Sequence, residues 1–463
     1  MQYRIVKNHT NRCMIVSFSY LCRMNVANIS TFQLMAMIQE LTIKNFLSFK
    51  EATTFSFEAT NDKTLEDYQV VQIGSTRLLR FALVYGANAS GKSNLLAAFE
   101  FLHSFWFSKK HAKDEAIGAQ PFMLDQTTPN EPSSFELVFF VGDVKYKYEV
   151  VLDNKLVYSE RLSYYKTTQP TLLLNRTLDN GVSVVKLQAN LKVSKAALEE
   201  LSLKCLPNMS FFAAKEMVNV AIPFVDEVLD WMEIIDLMCV VRPETDVFSL
   251  AAKSVSDDNL LKDFLLRFMQ HSDFNITEII VKREKGPLSD EMFKNLLHDK
   301  RLSDGAKQML LDGWAPSRIN VNFKHEVITA RGKETYFLPS NVQSAGTRRG
   351  FGIETEIYHA CVLESFLTID EIESSLHPEL VEFILTRFLQ KEGRSQLLIT
   401  THYDPLLDEV DDMFRKDMVW FTEKGEDGAT KLYSLADFKG LNKISSFRKF
   451  YRNGRFGALP NIG

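Results

Sequence analysis

The chain has 463 residues, of which 45% are hydrophobic and 24% are charged, and its formal net charge is −5 at pH 7. This length fits two or three domains, and the composition is typical of a globular protein with a sizeable apolar core. The slight acidity argues against a protein that coats nucleic acid over its whole surface, although it leaves room for a local basic patch.

Residues 1–36 differ in character from the rest of the chain, since they contain four basic residues and no acidic one. Their apolar run Met14–Cys22 is too short to span a bilayer. A signal peptide is an alternative, but no small-residue cleavage site follows the run. We therefore predict a leader that is disordered or precedes the true start, and no membrane segment. The five cysteines show no C-x-x-C spacing, which favours a reducing cytoplasm over a disulfide framework or a zinc site.

From Met37 onwards the pattern becomes that of strands. Apolar residues in Met37–Phe46 have the spacing of an edge strand, and Ala52–Phe57 alternates as a second strand. The polar stretch 58–75 is predicted to be a loop. It leads to Leu78–Tyr85, a short apolar run that is typical of a buried parallel strand.

The next segment, Gly86–Ser93, reads G-A-N-A-S-G-K-S and matches the phosphate-binding pattern G-x-x-x-x-G-K-[ST]. An amphipathic helix is predicted to follow it, so strand, loop and helix occur in the order that a phosphate site requires. Gly86 and Gly91 would let the loop turn tightly and direct its N–H groups inward, towards an anion at the helix N-terminus. Lys92 would contact the β- and γ-phosphates, and the Ser93 hydroxyl would bind Mg²⁺. The sequence therefore predicts a nucleotide-binding site.

An antiparallel meander is predicted after the phosphate-binding unit, because three alternating runs are separated by short turns: Phe135–Val141, Lys145–Leu152 and Glu160–Tyr165. Helical spacing then recurs at 194–204, 217–240 and 257–270, without sustained heptads. The predicted organisation is a leader at 1–36, an N-terminal part of the nucleotide-binding domain at 37–189, a mainly helical insertion at 190–330, and a C-terminal part at 331–463.

A further candidate for anion binding lies upstream of the carboxylates that are described in the next paragraph. Ser344 and Gly346 stand at the start of a predicted helix, where a hydroxyl and backbone N–H groups can donate to a phosphate. Taken alone, the same residues would form an ordinary helix cap. Gly346 precedes Asp370 by 24 residues, and this position favours the anion-binding interpretation.

A second candidate site lies where the apolar run Phe366–Ile369 ends in Asp370 and Glu371. Nucleotide hydrolases place a Mg²⁺ ligand beside a catalytic base in this way, so Asp370 would bind the metal, directly or through water, and Glu371 would polarise the attacking water. A helix is predicted from Pro378, and the next buried strand ends at His402. A lone histidine is more often structural, but its place after the strand that follows the carboxylates favours a γ-phosphate sensor.

Together these segments resemble the ABC-type ATPase group that includes RecF, the SMC proteins and the OLD-family ATPases. The resemblance is closer to the small bacterial AAA-family ATPases of abortive-infection and other phage-defence operons. It rests on these segments: Asn45-Phe46 with Ser48-Phe49, Gly86–Asn94, Ser344–Arg349, Asp370–Pro378, Thr401-His402 and the ending Tyr451–Pro460. The implied fold is α/β, with an antiparallel β subdomain, a mixed parallel core sheet and a mainly helical insertion.

The resemblance also implies ATP and Mg²⁺ as ligands and a homodimer or higher homo-oligomer as the working form. Ser344 and Gly346 of one subunit would face the γ-phosphate held by the other. Glu371 would be the catalytic base, His402 the switch histidine, and Ser93 and Asp370 the Mg²⁺ ligands. The residues that would bind ATP in the phosphate loop are Gly86, Asn88, Gly91, Lys92, Ser93 and Asn94. The short Ser-Ala-Gly-Thr signature argues against a transport ATPase, and Gln120 is a weak candidate for the Q-loop glutamine.

The 61 residues after His402 are too few for the nuclease domain of OLD-type proteins, which implies a separately encoded effector, a nuclease or a toxin. Lys439–Arg455 contains six Lys or Arg, no acid, and interleaved aromatic residues. This tail fits either contact with nucleic acid or a packed amphipathic helix. We predict an ATP-hydrolysing regulatory subunit of a phage-defence system. A RecF-like DNA-repair clamp and a nucleotide-gated scaffold with negligible turnover are the alternatives.

Overall fold

The computed structural model describes residues 36–459, apart from 236–239, 273, 286–292, 295–296, 299–306, 308–310 and 312–316. Nearly all of the predicted leader, part of the helical spacing at 217–240 and Pro460 of the C-terminal ending therefore lie outside the described residues. Within them, no helix combines the length and the apolar character that crossing a membrane requires.

The strands of the described chain are β1 (Ala36–Lys44), β2 (Thr53–Ser56), β3 (Val70–Ile73), β4 (Thr76–Leu79), β5 (Phe81–Gly86), β6 (Ser133–Val141), β7 (Val144–Leu152), β8 (Val157–Tyr165), β9 (Pro170–Asp179), β10 (Val182–Leu187), β11 (Ile276–Lys285), β12 (Ser317–Thr329), β13 (Gly332–Pro339), β14 (Phe366–Ile369), β15 (Gln396–Thr401), β16 (Val419–Lys424) and β17 (Thr430–Ser434). Its α-helices are α1 (Glu66–Gln69), α2 (Lys92–Phe107), α3 (Lys195–Lys204), α4 (Phe211–Lys215), α5 (Val225–Ile235), α6 (Val247–Val255), α7 (Asn259–His271), α8 (Ala345–Val362), α9 (Pro378–Gln390) and α10 (Phe447–Arg452).

A seven-stranded antiparallel sheet has the order β10-β9-β8-β7-β6-β1-β2. It confirms the predicted meander, which continues through β9 and β10. The prediction that the first strand is an edge strand is wrong, because β1 pairs with β2 on one side and with β6 on the other. Spacing along one strand shows which face is buried but not how many neighbours the strand has, and β1 is almost continuously buried.

The five-stranded core sheet has the order β14-β15-β5-β16-β17, parallel except for β17. Every residue of β5 and of β15 is buried, as expected for parallel strands covered on both faces. The carboxyl ends of β5, β14 and β15 meet at one edge, so the phosphate loop, the carboxylates and His402 converge there. This architecture confirms the predicted α/β class with an antiparallel subdomain and a mixed core sheet.

The stretch before the phosphate loop differs from the prediction. The polar residues 58–75 contain α1 and β3, and β3 forms a hairpin with β4 around Gly74. The apolar run Leu78–Tyr85 is divided at Arg80 between β4 and β5. Arg80 is buried, and its guanidinium donates hydrogen bonds to the carbonyls of Tyr68 and Lys391. Both bonds are made by Nη1, and the guanidinium also packs over the Phe388 ring, with 5.2 Å from its carbon to the ring centroid.

Two compact units divide the chain. The first contains the described residues of Met1–Pro243, His359–Ser374 and Val381–Gly463, and the second contains those of Glu244–Tyr358 and Ser375–Leu380. This division differs from the predicted bounds, because helices α3 to α5 belong to the first unit. The second unit holds the antiparallel sheet β11-β12-β13 together with α6, α7 and most of α8.

Candidate nucleotide-binding site

A cavity of about 320 Å³ opens at the carboxyl edge of the core sheet, between the loop after β5 and the residues that follow β14 and β15. The residues that line it are Ser48, Asn88, Ala89, Ser90, Gly91, Lys92, Ser93, Asn94, Glu371, His402 and Lys424. Seven of the residues predicted for the site therefore share one cavity. Ser48 and Lys424 are contributed by segments to which the sequence assigned no role in binding.

The two glycines of the loop are required by close packing. A Cβ on Gly86 would lie 2.3 Å from the Thr422 hydroxyl oxygen, and a Cβ on Gly91 would lie 2.2 Å from that of Thr430. Gly91 also has φ +112, which L side chains rarely adopt. The loop can therefore follow its tight path only with glycine at these positions.

The N-terminus of α2 is arranged for an anion. Its N-cap is Gly91, which provides no side-chain hydrogen bond, and the first turn contains no acidic residue. The first N–H groups of a helix have no partner within the helix and carry the positive end of its dipole. Ser93 is exposed at this end. The loop therefore fits the phosphates of a nucleotide, with Ser93 in place to reach a bound Mg²⁺.

Lys92 lies inside the loop and is 5% exposed. Its Nζ donates hydrogen bonds to the carbonyls of Gly86 (2.8 Å) and Ala87 (3.2 Å), and it lies 3.1 Å from His402 Nε2. Burial lowers the pKa of Lys92 to about 8, and the nearby carboxylates Asp370 and Glu371 oppose this shift. The ammonium is thus held by weak carbonyl acceptors where a phosphate would be a much stronger partner.

The two carboxylates after β14 face different surroundings. Asp370 is buried and accepts a hydrogen bond from the Thr400 hydroxyl, while its N–H donates to the Val241 carbonyl at 2.8 Å. Glu371 adopts φ +47, and its N–H donates to Thr400 Oγ1 at 2.9 Å. Left-handed backbone in a residue other than glycine is strained and concentrates at functional sites. The turn leaves the Glu371 carboxylate 44% exposed and 3.8 Å from His402 Nε2.

His402 is fixed by a carboxylate that the sequence did not single out. Glu373 accepts hydrogen bonds from the Thr401 hydroxyl at 2.7 Å and from the His402 N–H at 2.6 Å. Burial lowers the pKa of the His402 imidazole, and the charge of Lys92 lowers it further. The lowered pKa favours the neutral ring, which has one N–H donor and one nitrogen acceptor. Glu373 could have been predicted from the sequence, because it is a further carboxylate only two residues after Glu371.

The Asn45–Phe49 segment supports the loop. Asn45 is buried with φ +52, and its amide donates to the carbonyls of Thr128 and Glu131 at 2.8 and 2.9 Å. Ser48 Oγ accepts a hydrogen bond from Asn94 Nδ2 and is hydrogen-bonded to the Thr430 hydroxyl, both at 2.7 Å. These bonds join the turn after β1 to α2 and to β17. Gln120 contributes only its carbonyl here, which accepts from the Leu47 N–H at 2.8 Å, and its side chain is exposed.

Ser344 and Gly346 belong to the second unit. Ser344 Oγ accepts the Thr347 N–H at 3.0 Å and lies 2.8 Å from the Thr347 hydroxyl oxygen, so it caps α8. A Cβ on Gly346 would lie 2.8 Å from the Ser375 carbonyl oxygen. The glycine therefore permits a close approach of two backbones. The Ser344 side chain remains exposed at this end of α8.

The basic tail is packed rather than free. Its helix α10 has six residues, and Phe447, Tyr451 and Phe456 are buried. Arg448 and Arg452 pair with the carboxylate of Asp404. The aromatic side chains therefore pack as expected for an amphipathic helix, while Lys439, Lys443, Lys449 and Arg455 remain exposed.

The chain matches the model of a protein family described as "AAA domain, putative AbiEii toxin, Type IV TA system" over residues 81–181 and 222–409. These ranges include the phosphate loop, Ser344, both carboxylates and His402.

Two solved structures are similar at low identity. The SMC head domain from Thermotoga maritima has a TM-score of 0.40 and 12% identity, covering 86% of this chain and 98% of that chain. An SMC head bound to the C-winged helix domain of ScpA has a TM-score of 0.37 and 13% identity, covering 86% and 97%. No curated protein matches the chain.

Proposed function

This chain belongs to the AbiEii-type AAA domain family, and on that premise we propose that it binds and hydrolyses ATP as the sensor subunit of a bacterial phage-defence system. The observation that carries the proposal is the convergence of Lys92, Glu371 and His402 on one cavity beside a helix N-terminus. A cation, a carboxylate base and a neutral imidazole at this spacing suit phosphoryl transfer to water.

Each residue has a distinct task in that reaction. Lys92 binds the β- and γ-phosphates, and the N–H groups at the start of α2 stabilise their charge. Glu371 orients and deprotonates the attacking water, while His402 donates a hydrogen bond to the γ-phosphate. Mg²⁺ bound with the nucleotide would be held by Ser93 and Asp370 and would neutralise phosphate charge. Thr400 supports this chemistry because its hydroxyl contacts Asp370 and the Glu371 backbone.

We further propose that two copies of the chain complete each site. Lys92 and Ser93 approach the phosphates from the loop of one copy, and the Ser344 hydroxyl and the Gly346 backbone of the other copy would face the γ-phosphate. The exposed Ser344 hydroxyl, fixed as the cap of α8, is suited to this task. ATP would then join the two copies, and hydrolysis would release them, which gives two states that can hold or free another protein.

That other protein would be an effector with nuclease or toxin activity, encoded separately. The main rival is a DNA clamp, for which the basic tail would be the contact surface. Two of its arginines pair with Asp404, whereas Lys439, Lys443, Lys449 and Arg455 are exposed, so the tail does not separate the clamp from the sensor. A neighbouring nuclease or toxin gene would support the sensor further, whereas a replication operon would support the clamp.

Turnover and assembly test the proposal together. Purified wild-type protein should hydrolyse ATP in a Mg²⁺-dependent manner. Glu371→Gln keeps size and hydrogen bonding but removes the base, so turnover should fall roughly 100-fold or more while ATP still binds. Gel filtration with ATP should show a trapped dimer of this variant. The control is Glu149→Gln, a partly exposed carboxylate of β7, which should behave as wild type. Undiminished hydrolysis by Glu371→Gln would move the base elsewhere, and negligible turnover by the wild type would favour the scaffold.

A further inference from the structure

The C-terminal segment, residues 447–459, is anchored to the same sheet as the phosphate loop. Phe456 is 1% exposed and stacks on Phe421 of β16, with ring centroids 5.6 Å apart. The hydroxyl of Tyr433 in β17 donates to the Phe456 carbonyl at 2.8 Å. A Cβ on Gly457 would lie 2.6 Å from the Tyr433 hydroxyl oxygen. Aromatic stacking and a glycine-dependent approach therefore fix the end of this segment beside β16, which pairs with β5.

From this anchor the segment reaches the residues that follow His402. Arg452 donates through Nε and Nη2 to the two carboxylate oxygens of Asp404, the second bond being 3.1 Å long. Arg448 Nε donates to the same carboxylate at 3.1 Å, and Arg448 Nη1 lies 3.4 Å from Asp408 Oδ2. The Asp404 side chain is only 17% exposed. A bidentate arginine–carboxylate contact fixes both the distance and the relative orientation of the two side chains.

Residues 401–404 are thereby held from three directions. Glu373 accepts the His402 N–H, the buried Tyr85 hydroxyl donates to the Tyr403 carbonyl at 3.2 Å, and the arginines hold Asp404. The ring of Tyr85 also packs against that of Tyr451 in the C-terminal segment, with the ring centroids 5.8 Å apart. His402 stands in the middle of these supports, with its ring 3.1 Å from Lys92 and 3.8 Å from Glu371. Displacing a catalytic group by about 1 Å can cost on the order of 100-fold in rate.

We infer that the C-terminal segment positions His402 for hydrolysis through the Arg448–Asp404–Arg452 contact. Asp404, Arg448 and Arg452 are then positioning residues, and the inference rests on the proposed role of His402. Release of the segment would loosen the histidine and slow turnover without removing any group that binds the phosphates. The C-terminal segment thus contributes to ATP hydrolysis, although it belongs neither to the phosphate loop nor to the turn that contains Asp370 and Glu371.

The test uses full-length Arg452→Ala, Arg452→Lys and Asp404→Asn, with Arg394→Ala as the control, since Arg394 forms a surface pair with Asp143. Hydrogen exchange of a peptide covering residues 400–405 is measured without nucleotide. It should quicken about five-fold in Arg452→Ala and Asp404→Asn, as expected for a contact at the upper end of surface ion pairs. The kcat for ATP should fall about five-fold or more, while KM changes less than about two-fold. Arg452→Lys should recover part of both effects, and the control should match wild type.

Unchanged exchange at 400–405 in both variants would overturn the inference, as would a rise in KM with kcat intact. Exchange of a peptide within β7 serves as the internal reference, because global loosening would raise exchange there as well. If Arg452→Ala does not fold, the isosteric Asp404→Asn decides the question alone. Lack of ATP turnover by wild-type protein would refute the proposed function, and the exchange result would still decide whether the C-terminal segment holds the histidine.

Discussion

Replacing Gly91 with alanine tests the geometry of the phosphate loop. The new Cβ would lie 2.2 Å from Thr430 Oγ1 and 2.7 Å from Thr430 Cγ2, in a backbone with φ +112. Thr430 cannot retreat without loss, because its hydroxyl donates to the Ser90 carbonyl at 2.8 Å and its N–H donates to the Ser48 carbonyl at 2.7 Å. The substitution therefore combines backbone strain with a steric clash against a tethered side chain.

The backbone strain and the steric clash each lower the stability of the fold. Left-handed backbone costs an alanine about 1–2 kcal/mol, and overpacking costs about 1–3 kcal/mol more. Gly91→Ala should therefore lower the free energy of unfolding by about 2–5 kcal/mol. Gly142→Ala is the matched control, since it has φ +60 and a Cβ there would meet nothing within 4 Å. It should show the strain alone, about 1–2 kcal/mol.

Urea unfolding of the two variants and binding of a fluorescent ATP analogue provide the measurement. Gly91→Ala should also weaken analogue binding, because the N–H groups of Lys92 and Ser93 move with the loop, whereas Gly142→Ala should bind as wild type. Combining Gly91→Ala with Thr430→Ala should restore about 1–3 kcal/mol beyond additivity, since the clash is then relieved. Equal losses in Gly91→Ala and Gly142→Ala, without coupling to Thr430, would refute the argument.

Three further predictions concern the site and the core. Lys92→Ala should weaken nucleotide binding by several kcal/mol, on the scale of a lost buried charge partner; calorimetry with ADP that shows wild-type affinity would refute the phosphate-loop assignment. Glu373→Ala removes the acceptor for the His402 N–H, so kcat should fall while the affinity for ADP is kept, and a loss of affinity with kcat intact would contradict this role. Arg176→Met leaves the fully buried Glu160, 3.7 Å from Arg176 Nη1, without its counter-charge; the free energy of unfolding in urea should fall by about 3–5 kcal/mol, and an unchanged value would show that the pair is dispensable.

The local elements of the site could be predicted from the sequence because each is encoded by neighbouring residues. The family match confirms the resemblance that these segments suggested. Gly86–Ser93 specifies a loop between a strand and a helix, and Phe366–Glu371 specifies a strand that ends in two carboxylates. Parallel strands place such ends at one edge, so the approach of His402 to Lys92 and Glu371 followed from the order of elements.

Contacts between distant segments could not be predicted in the same way. Gln396 provides an example, since its side chain accepts the Ile38 N–H at 2.6 Å and donates to the Ile38 carbonyl at 2.9 Å, across 358 positions of the chain. In the sequence it is only the first residue of a strand. The pairing of β16 with β5 likewise brings in Thr422, which lies against Gly86, and Lys424, which lines the cavity. Thr430, which lies against Gly91, is brought in by the pairing of β17 with β16. No local pattern marks such residues, because their role depends on their partners.

The most direct test of the central claim is complementation between two inactive variants. Lys92→Ala lacks the phosphate-binding cation, and Ser344→Arg lacks the hydroxyl proposed to act across the dimer. A mixed dimer contains one site with an intact Lys92 from one copy and an intact Ser344 from the other. Mixing the two variants should therefore restore part of the wild-type ATPase activity. The mixture of Lys92→Ala with Glu371→Gln is the control. Both of its changes lie in the first unit, so neither site of a mixed dimer is intact. If mixed dimers form but remain as inactive as either variant alone, the composite site is refuted.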